Sequence, residues 1–198
     1  MGDDRMNFEQ ISRKSAAVKR KYGNATADEI LQAKDIAVLD ISMGTSEKAL
    51  KGFIMKSSRM VTVVLNADLP ADIHRIVCMH ETSHYLLGHL NGRRQIVFQD
   101  SSLAYRNDHT HLARMENEAN FFAADYLIDT KETIEAIHEL DIFSAARDLG
   151  VPPQLLDYKL RLLYGLGYLE KYQDCLFVKS DCMRTLQSDR PNLNDIIC

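Results

Sequence analysis

Residues 71–89 read ADIHRIVCMHETSHYLLGH, and this stretch decides how the chain is interpreted. It combines a helical pattern of apolar residues with the sequence H-E-x-x-H. One stripe at helical spacing holds the following side chains: Ile73, Ile76, Val77, His80, His84 and Leu87. The pattern predicts a helix over residues 70–87 whose two histidines face the core. Buried polar side chains need partners, and one metal ion between the two imidazoles would satisfy both.

The spacing of the motif favours a hydrolytic metal site. His80 and His84 lie one helical turn apart, with Cβ atoms about 5–6 Å from each other, so their imidazoles can converge on one ion. Glu81 is rotated about a third of a turn away and can instead reach a water at an open position of the metal. Zinc hydrolases use this arrangement, in which the Glu takes a proton from the attacking water. The alternative is that both histidines lie in the core and form hydrogen bonds with the backbone. It does not explain why a glutamate stands directly after the first histidine.

A third ligand is predicted on a second helix, which contains the sequence RMENEANFFAADY at residues 114–126. One face of this helix carries Leu112, Glu116, Ala119, Ala123 and Leu127, and its alanines allow close packing against the first helix. Glu118 competes with Glu116 but lies about 200° around the helix, so only one of them can face the metal. The alanine face favours Glu116. Asn120 lies one turn after Glu116 and is suited to orient a ligand.

The rest of the chain predicts an α+β fold with a small antiparallel sheet beside the active-site helices. Strands are predicted at 36–41, 52–56 and 60–65, and further helices at 8–21, 26–35, 110–128, 131–139, 142–149 and 153–164. Thr26 and Glu29 form a capping-box pattern at the start of the second helix. The polar stretch 88–108 is predicted to be a long loop that either faces the substrate or is mobile. Residues 1–172 are interpreted as one domain, and 173–198 as a polar C-terminal tail.

The two helical motifs together resemble the ImmA/IrrE family of metallopeptidases. HETSHYLLGH at residues 80–89 and ENEANFFAADYLI at 116–128 are similar to the family pattern HExxH followed by ExxAN-x-FAA, and the resemblance spans about residues 26–165. It implies a zincin-like, gluzincin-type fold and a Zn²⁺ site with His80, His84 and Glu116 as ligands and Glu81 as general base. The chain departs from the family at residues 82–83 and 129–130, which carry no chemistry.

The resemblance also implies a partner. Family members commonly act on a helix-turn-helix repressor encoded beside them in phages, mobile elements or stress circuits, and relieve repression by cleaving it. An extended peptide could add to an edge formed by the strands at 52–56 and 60–65. Docking on the leucine-rich element at residues 142–164 would then supply selectivity.

Residues 142–164 have the cadence of a helix-turn-helix, with Gly150 at the turn. A DNA-reading helix should present basic and amide side chains. This one offers few among its leucines: Gln154, Lys159 and Arg161. A packed structural or partner-binding element is therefore favoured over DNA binding.

Roles are also predicted for several other polar side chains. Four are candidates to donate a hydrogen bond to the oxyanion of a tetrahedral intermediate: Tyr105, His109, His111 and Tyr126. His89 does not complete the longer HExxHxxGxxH zinc pattern, because its glycine and last histidine would have to stand at positions 87 and 90. Gly88 is interpreted as the end of the helix and His89 as structural.

Composition limits the partners and the compartment. The net charge of −4 gives no general attraction to nucleic acid or to an anionic membrane, and no apolar run is long enough for export or for a bilayer span. The four cysteines are scattered and predict free thiols in a reducing cytoplasm: Cys78, Cys175, Cys182 and Cys198.

The sequence thus predicts a cytoplasmic zinc-dependent endopeptidase with a protein substrate. The alternative is a zinc-stabilised module that inactivates its partner by binding without cleavage. Glu81 favours the enzyme, since a purely structural site has no use for a general base and usually fills all four metal positions.

Overall fold

The computed structural model describes residues 6–46, 48–91, 95–100 and 110–170, with the backbone alone at 95–100. The helices are α1 (Phe8–Tyr22), α2 (Ala27–Gln32), α3 (Ala71–Leu87), α4 (His111–Leu127), α5 (Thr130–Glu139), α6 (Ile142–Asp148) and α7 (Pro153–Gly165). The strands are β1 (Ala37–Ile41), β2 (Gly52–Ser57), β3 (Met60–Asn66) and β4 (Gln95–Asp100). The α+β class and all the predicted helices are confirmed, and their ends differ from the prediction by at most three residues.

Local side-chain chemistry sets several helix ends. The predicted capping box at Thr26 is present, because its hydroxyl accepts from the Glu29 N–H while the Glu29 carboxylate accepts from the Thr26 N–H. Helix α3 ends at Gly88, which adopts the left-handed conformation with φ 85° and ψ 19°. An L side chain rarely adopts that conformation, so glycine there is a strong stop signal.

The sheet has four strands in the order β1-β3-β2-β4, and it is mixed. Strands β2 and β3 form an antiparallel hairpin, but β1 runs parallel to β3. The prediction of a wholly antiparallel sheet is therefore wrong in this pairing. Strand β3 lies inside the sheet and its apolar run Val63–Leu65 is buried, which suits a strand with a neighbour on each side but does not set the direction of that neighbour. The direction of β1 relative to β3 cannot be predicted from the sequence of β1.

Strand β4 lies within the stretch predicted to be a loop, so that prediction is wrong for residues 95–100. It pairs antiparallel with β2, from Gln95 opposite Ser57 to Asp100 opposite Gly52. Its sequence QIVFQD has strand-forming residues at its centre, but the surrounding polar residues concealed them. Both β2 and β3 consequently lie inside the sheet. The prediction that they supply a free edge is wrong, since among the described strands the outer ones are β1 and β4.

Helix α3 packs closely on one face of the sheet. Gly52 on β2 makes this approach possible, because a Cβ atom built there would lie 2.7 Å from Cγ1 of Val77. Residues Ile54, Val63 and Leu65 lie in the same hydrophobic core as Ile76 and Val77 of the helix. The sheet thereby fixes the position of α3, and α4 packs against the same helix.

The helix-turn-helix-like element is packed rather than exposed. Its leucines at 155, 156, 160, 162 and 163 are buried, which agrees with a packed element, and docking of a partner on residues 142–164 stays a prediction. Lys159 is only 1% exposed and its Nζ donates to Oδ1 of Asp125 on α4 at 2.8 Å. Arg161 is paired with Asp157, also at 2.8 Å. Two of the three candidate DNA-contacting side chains are therefore already engaged within the fold.

Some predictions fall beyond what the structure describes. The tail at 173–198 and three of the cysteines lie outside the described residues, whereas Cys78 is a buried free thiol. Burial raises the pKa of this thiol, and the nearby Asp28 adds to the effect. Among the described helices, none combines the length and apolar character needed to cross a membrane.

The buried ion pair between α4 and α7 gives a test of the packing. Asp125→Ala leaves the Lys159 ammonium buried without its carboxylate, so we expect a loss of about 3–5 kcal/mol in the free energy of unfolding. Lys159→Met should cost much less, because Lys19 stays near the Asp125 carboxylate and methionine fills the vacated space. Urea denaturation of both variants measures the difference. Equal losses would contradict this account of the interface.

Candidate metal centre

The structure brings together the three side chains that the sequence predicts as metal ligands. Nε2 of His80 lies 3.2 Å from Nε2 of His84 and 3.2 Å from Oε2 of Glu116. Nε2 of His84 lies 3.6 Å from the same carboxylate oxygen. All three residues are buried, and their ligand atoms lie close enough together to hold one metal ion.

The cluster follows from the close packing of α3 on α4. The two histidines stand one turn apart on α3, and α4 presents Glu116 from the facing side. Ala119 and Ala123 of α4 are fully buried, and their small side chains allow the two helices to approach. Glu118 points elsewhere, because its Oε2 lies 3.2 Å from Nε2 of His89. Of the two competing carboxylates, Glu116 is thus the one that faces both histidines.

Burial sets the protonation of this cluster. Desolvation lowers the pKa of His84 to about 3, against the opposing influence of the Glu116 carboxylate. For Glu116, desolvation would raise the pKa, but its hydrogen bonds with His80 and His84 outweigh that effect and lower it to about 2. Near neutral pH the cluster therefore holds a neutral His84 imidazole and an ionised carboxylate, the forms that bind metal.

The chemistry and spacing of these atoms fit a zinc ion. Two imidazoles and one carboxylate form a known catalytic zinc ligand set. Bonds of about 2.0–2.1 Å around a tetrahedral ion place neighbouring ligand atoms roughly 3.3 Å apart, close to the distances between the three residues. Oε1 of Glu116 is buried and has no hydrogen-bond partner among the described residues. A cation at this point would satisfy the carboxylate and both ring nitrogens.

Asn120 orients His80 as the sequence predicts. Nδ1 of His80 lies 2.8 Å from Oδ1 of Asn120, so in the tautomer with its proton on Nδ1 the ring would donate to Asn120 and offer the lone pair of Nε2 to a metal. Nδ2 of Asn120 donates to the Tyr158 hydroxyl at 3.3 Å, and that hydroxyl donates to Oδ1 of Asn117 at 2.9 Å. Sequence reasoning missed Tyr158, because nothing in its position on α7 indicates that α7 packs against α4.

Glu81 is 1% exposed and follows His80 directly on α3. The helix turns its side chain about 100° from that of His80, so it does not share the direction of the two histidines. Its burial keeps bulk water away from the carboxylate.

Two of the four predicted oxyanion donors, His111 and Tyr126, lie within the described residues. Tyr105 and His109 lie outside the described residues, and His111 is exposed at the first turn of α4. The Tyr126 hydroxyl donates to the Ala25 carbonyl at 2.8 Å. Tyr126 also lies roughly 15 Å along the helix axis from Glu116, at 1.5 Å per residue. The candidacy of Tyr126 is therefore wrong in this structure, since its hydroxyl serves to tie α4 to the segment before α2.

The departures from the family pattern are accommodated locally. Thr82 and Ser83 are buried, and each hydroxyl donates to a carbonyl one turn back, at 2.7 and 2.6 Å respectively. Asp129 caps α5 by accepting from the N–H groups of residues 131 and 132. Neither departure leaves a buried polar group unpaired or disturbs the cluster.

A small sheet, an H-E-x-x-H helix on its face and a glutamate from the next helix define the class of metallopeptidases called zincins. Comparison with known families agrees with this class. The family model described as the IrrE N-terminal-like domain, a peptidase family, matches residues 31–161. Because the match covers well over half of the chain, the chain belongs to this family. No curated protein matches it.

The low pKa of His84 predicts how the metal-free protein responds to acid. Unfolded histidine titrates near 6.5, whereas folded His84 stays neutral to about pH 3. Between these values the unfolded state binds more protons, so the free energy of unfolding falls as the pH falls. From pH 6.5 to 5.5 we expect wild type to lose about 1 kcal/mol more than His84→Gln. Urea titrations in chelator measure this difference, and parallel losses in the two proteins would contradict it.

Proposed function

We propose that this chain is a zinc-dependent endopeptidase with His80, His84 and Glu116 as metal ligands and Glu81 as general base. The observation that carries the proposal is the buried convergence of the three ligand atoms. Glu81 stands at the adjacent position of the same helix. Membership of a peptidase family supports hydrolysis of a peptide bond as the reaction.

The roles of the residues follow from their chemistry. Zinc, when bound, supplies a Lewis acid that lowers the pKa of water and polarises a carbonyl. The Glu81 carboxylate takes a proton from the water whose oxygen attacks the scissile carbonyl carbon. The same carboxyl group then gives that proton to the departing amine as the C–N bond breaks. Asn120 keeps His80 in the tautomer that leaves Nε2 available to the metal.

A protein substrate in extended form suits the sheet. Strand β4 has β2 on one side, and its other edge has no partner strand among the described residues. Helix α2 packs against β1, the other outer strand. A peptide that added to the β4 edge would be held by backbone hydrogen bonds, which fix its height but discriminate weakly between sequences. This is the edge we propose for the substrate.

The substrate that we propose is a helix-turn-helix repressor, cut in an exposed strand or linker so that repression ends. This role is what the resemblance to ImmA/IrrE peptidases implies, in a phage, a mobile element or a stress circuit. The net charge of −4 and the ion pairs of Lys159 and Arg161 support action on the repressor protein rather than on DNA. The scattered cysteines and the buried Cys78 thiol suit a cytoplasmic location.

The second candidate function is inactivation of the partner by binding alone, with zinc as a structural element. The observation in its favour is that both histidine ligands are held by buried side chains, His80 by Asn120 and His84 by His89. Such support suits a rigid structural site. A buried carboxylate at position 81 favours the enzyme, because a structural site does not need a base beside its ligands.

The two candidates differ in their response to Glu81→Gln. We expect this variant to keep about one zinc per chain, as in wild type, since Glu81 is not a ligand. Hydrolysis should fall by about 10²–10⁴-fold, because the amide cannot accept the proton of the attacking water. Elemental analysis and a peptide-cleavage assay measure the two effects.

Glu116→Ala is the matched control, because it removes a ligand and should lose both zinc and activity. Two outcomes would overturn the proposal. One is wild-type protein that holds no zinc even after reconstitution. The other is a Glu81→Gln variant that cleaves as fast as wild type.

The proposed substrate is tested with a helix-turn-helix repressor whose gene lies next to the gene for this protein. Incubation with zinc-loaded protein should give a single cut, mapped by mass spectrometry to an exposed strand or linker, and Glu81→Gln should abolish it. Tight binding without a cut, in cells as well as in vitro, would favour the non-cleaving module.

A further inference from the structure

The second ligand histidine is held by a chain of buried side chains that the proposed mechanism does not use. Nδ1 of His84 lies 2.9 Å from Nδ1 of His89, and Nε2 of His89 lies 3.2 Å from Oε2 of Glu118. His84, His89 and Glu118 are 0%, 4% and 9% exposed. The chain ends at the N-terminal segment, where the Met6 N–H donates to Oε1 of Glu118 at 3.1 Å.

We propose that His89 and Glu118 are positioning residues that fix the tautomer and ring orientation of His84 for metal binding. The proposal rests on the zinc site proposed above and assigns a role to two residues that are not ligands. His89 cannot be a ligand itself, because it faces Nδ1 of His84, on the side of the ring away from the cluster at Nε2.

One assignment of donors and acceptors satisfies both hydrogen bonds, from His84 to His89 and from His89 to Glu118. A neutral imidazole has one N–H, so when Nε2 of His84 offers its lone pair to a metal the proton is on Nδ1. That N–H can donate only if Nδ1 of His89 is an acceptor, which places the proton of His89 on Nε2. The Nε2–H then donates to the Glu118 carboxylate, an obligate acceptor when ionised.

Backbone geometry builds this arrangement into the end of α3. Gly88 turns the chain in the left-handed conformation, and the His89 N–H donates to the His84 carbonyl at 3.0 Å. This turn folds the His89 side chain back beside the His84 ring, with ring centroids 5.0 Å apart. The positive φ of residue 88 favours glycine, and a Cβ atom there would also displace the Asn91 side chain, whose Nδ2 would lie 2.8 Å away.

The same hydrogen bonds compensate the burial of the Glu118 carboxylate. A buried carboxylate is costly unless hydrogen bonds or opposite charge compensate it. Glu118 receives donors from His89 and from the Met6 amide. A cation bound at Nε2 of His84 makes the Nδ1–H more acidic, so each bond of the chain strengthens on metal binding. Carboxylate–histidine–metal arrangements of this kind commonly tune metal affinity 10–100-fold.

The test compares zinc affinities by chelator competition in the full chain. His89→Leu removes the acceptor for His84 and should weaken zinc binding roughly 10–100-fold. His89→Asn places an amide oxygen near the Nδ1 position and should recover much of that loss. Glu118→Ala keeps all three ligands and should weaken binding roughly 10-fold. His74→Leu is the matched control, because His74 lies on the same helix as the two histidine ligands but is paired with Asp40 of β1, so this variant should leave zinc affinity unchanged.

Histidine side-chain NMR of the zinc-loaded wild type gives a readout that a space-filling role would not produce. We expect the proton of His84 on Nδ1 and that of His89 on Nε2. A proton on Nδ1 of His89 would overturn the proposal. Equal losses in His89→Leu and His89→Asn, or wild-type affinity in both, would also overturn it. Wild-type protein without zinc would instead reject the proposed function, so the two failures are distinguishable.

Discussion

The burial of two imidazoles and a carboxylate between α3 and α4 is the constraint on which the rest of the structure depends. Taking such groups out of water is costly unless each finds a partner. Here the ring nitrogens of His80 and His84 and an oxygen of Glu116 lie within 3.2–3.6 Å of each other. Close helix packing is needed for those distances, and the buried alanines of α4 and the glycine at residue 52 are the positions that allow it.

The surrounding elements act as supports for this cluster. The sheet fixes α3, while α7 contributes Tyr158, which holds Asn120 and through it His80. The end of α3 contributes His89, which holds His84 with the help of Glu118. Each ligand histidine therefore has its own hydrogen-bonded chain on the ring nitrogen opposite the cluster. Such supports hold the rings in a geometry that a metal can use without reorganisation.

The packing of the C-terminal helices α6 and α7 argues against DNA binding by them. A cadence typical of DNA-binding proteins appears in α6 and α7, but the exposed basic face that DNA requires is not present in the described part of this element. Lys159 is buried against Asp125, and Arg161 is paired within its own helix. Helix α7 supports the candidate metal site through Tyr158, and the outer strand β4 offers a backbone edge that suits an extended peptide.

By itself the sequence determined the helices, the α+β class and the identity of the three clustered side chains. These features depend on periodicity of 3.6 residues and on i, i+4 spacing, which are local properties of the chain. Only the tertiary structure decided the parallel pairing of β1, the place of β4 at the sheet edge, and the contacts of His89 with His84 and of Tyr158 with Asn120. Strand direction and order depend on contacts between distant segments. His89 and Glu118 are 29 residues apart and Asn120 and Tyr158 are 38 apart, so only the packing of three helices makes them neighbours.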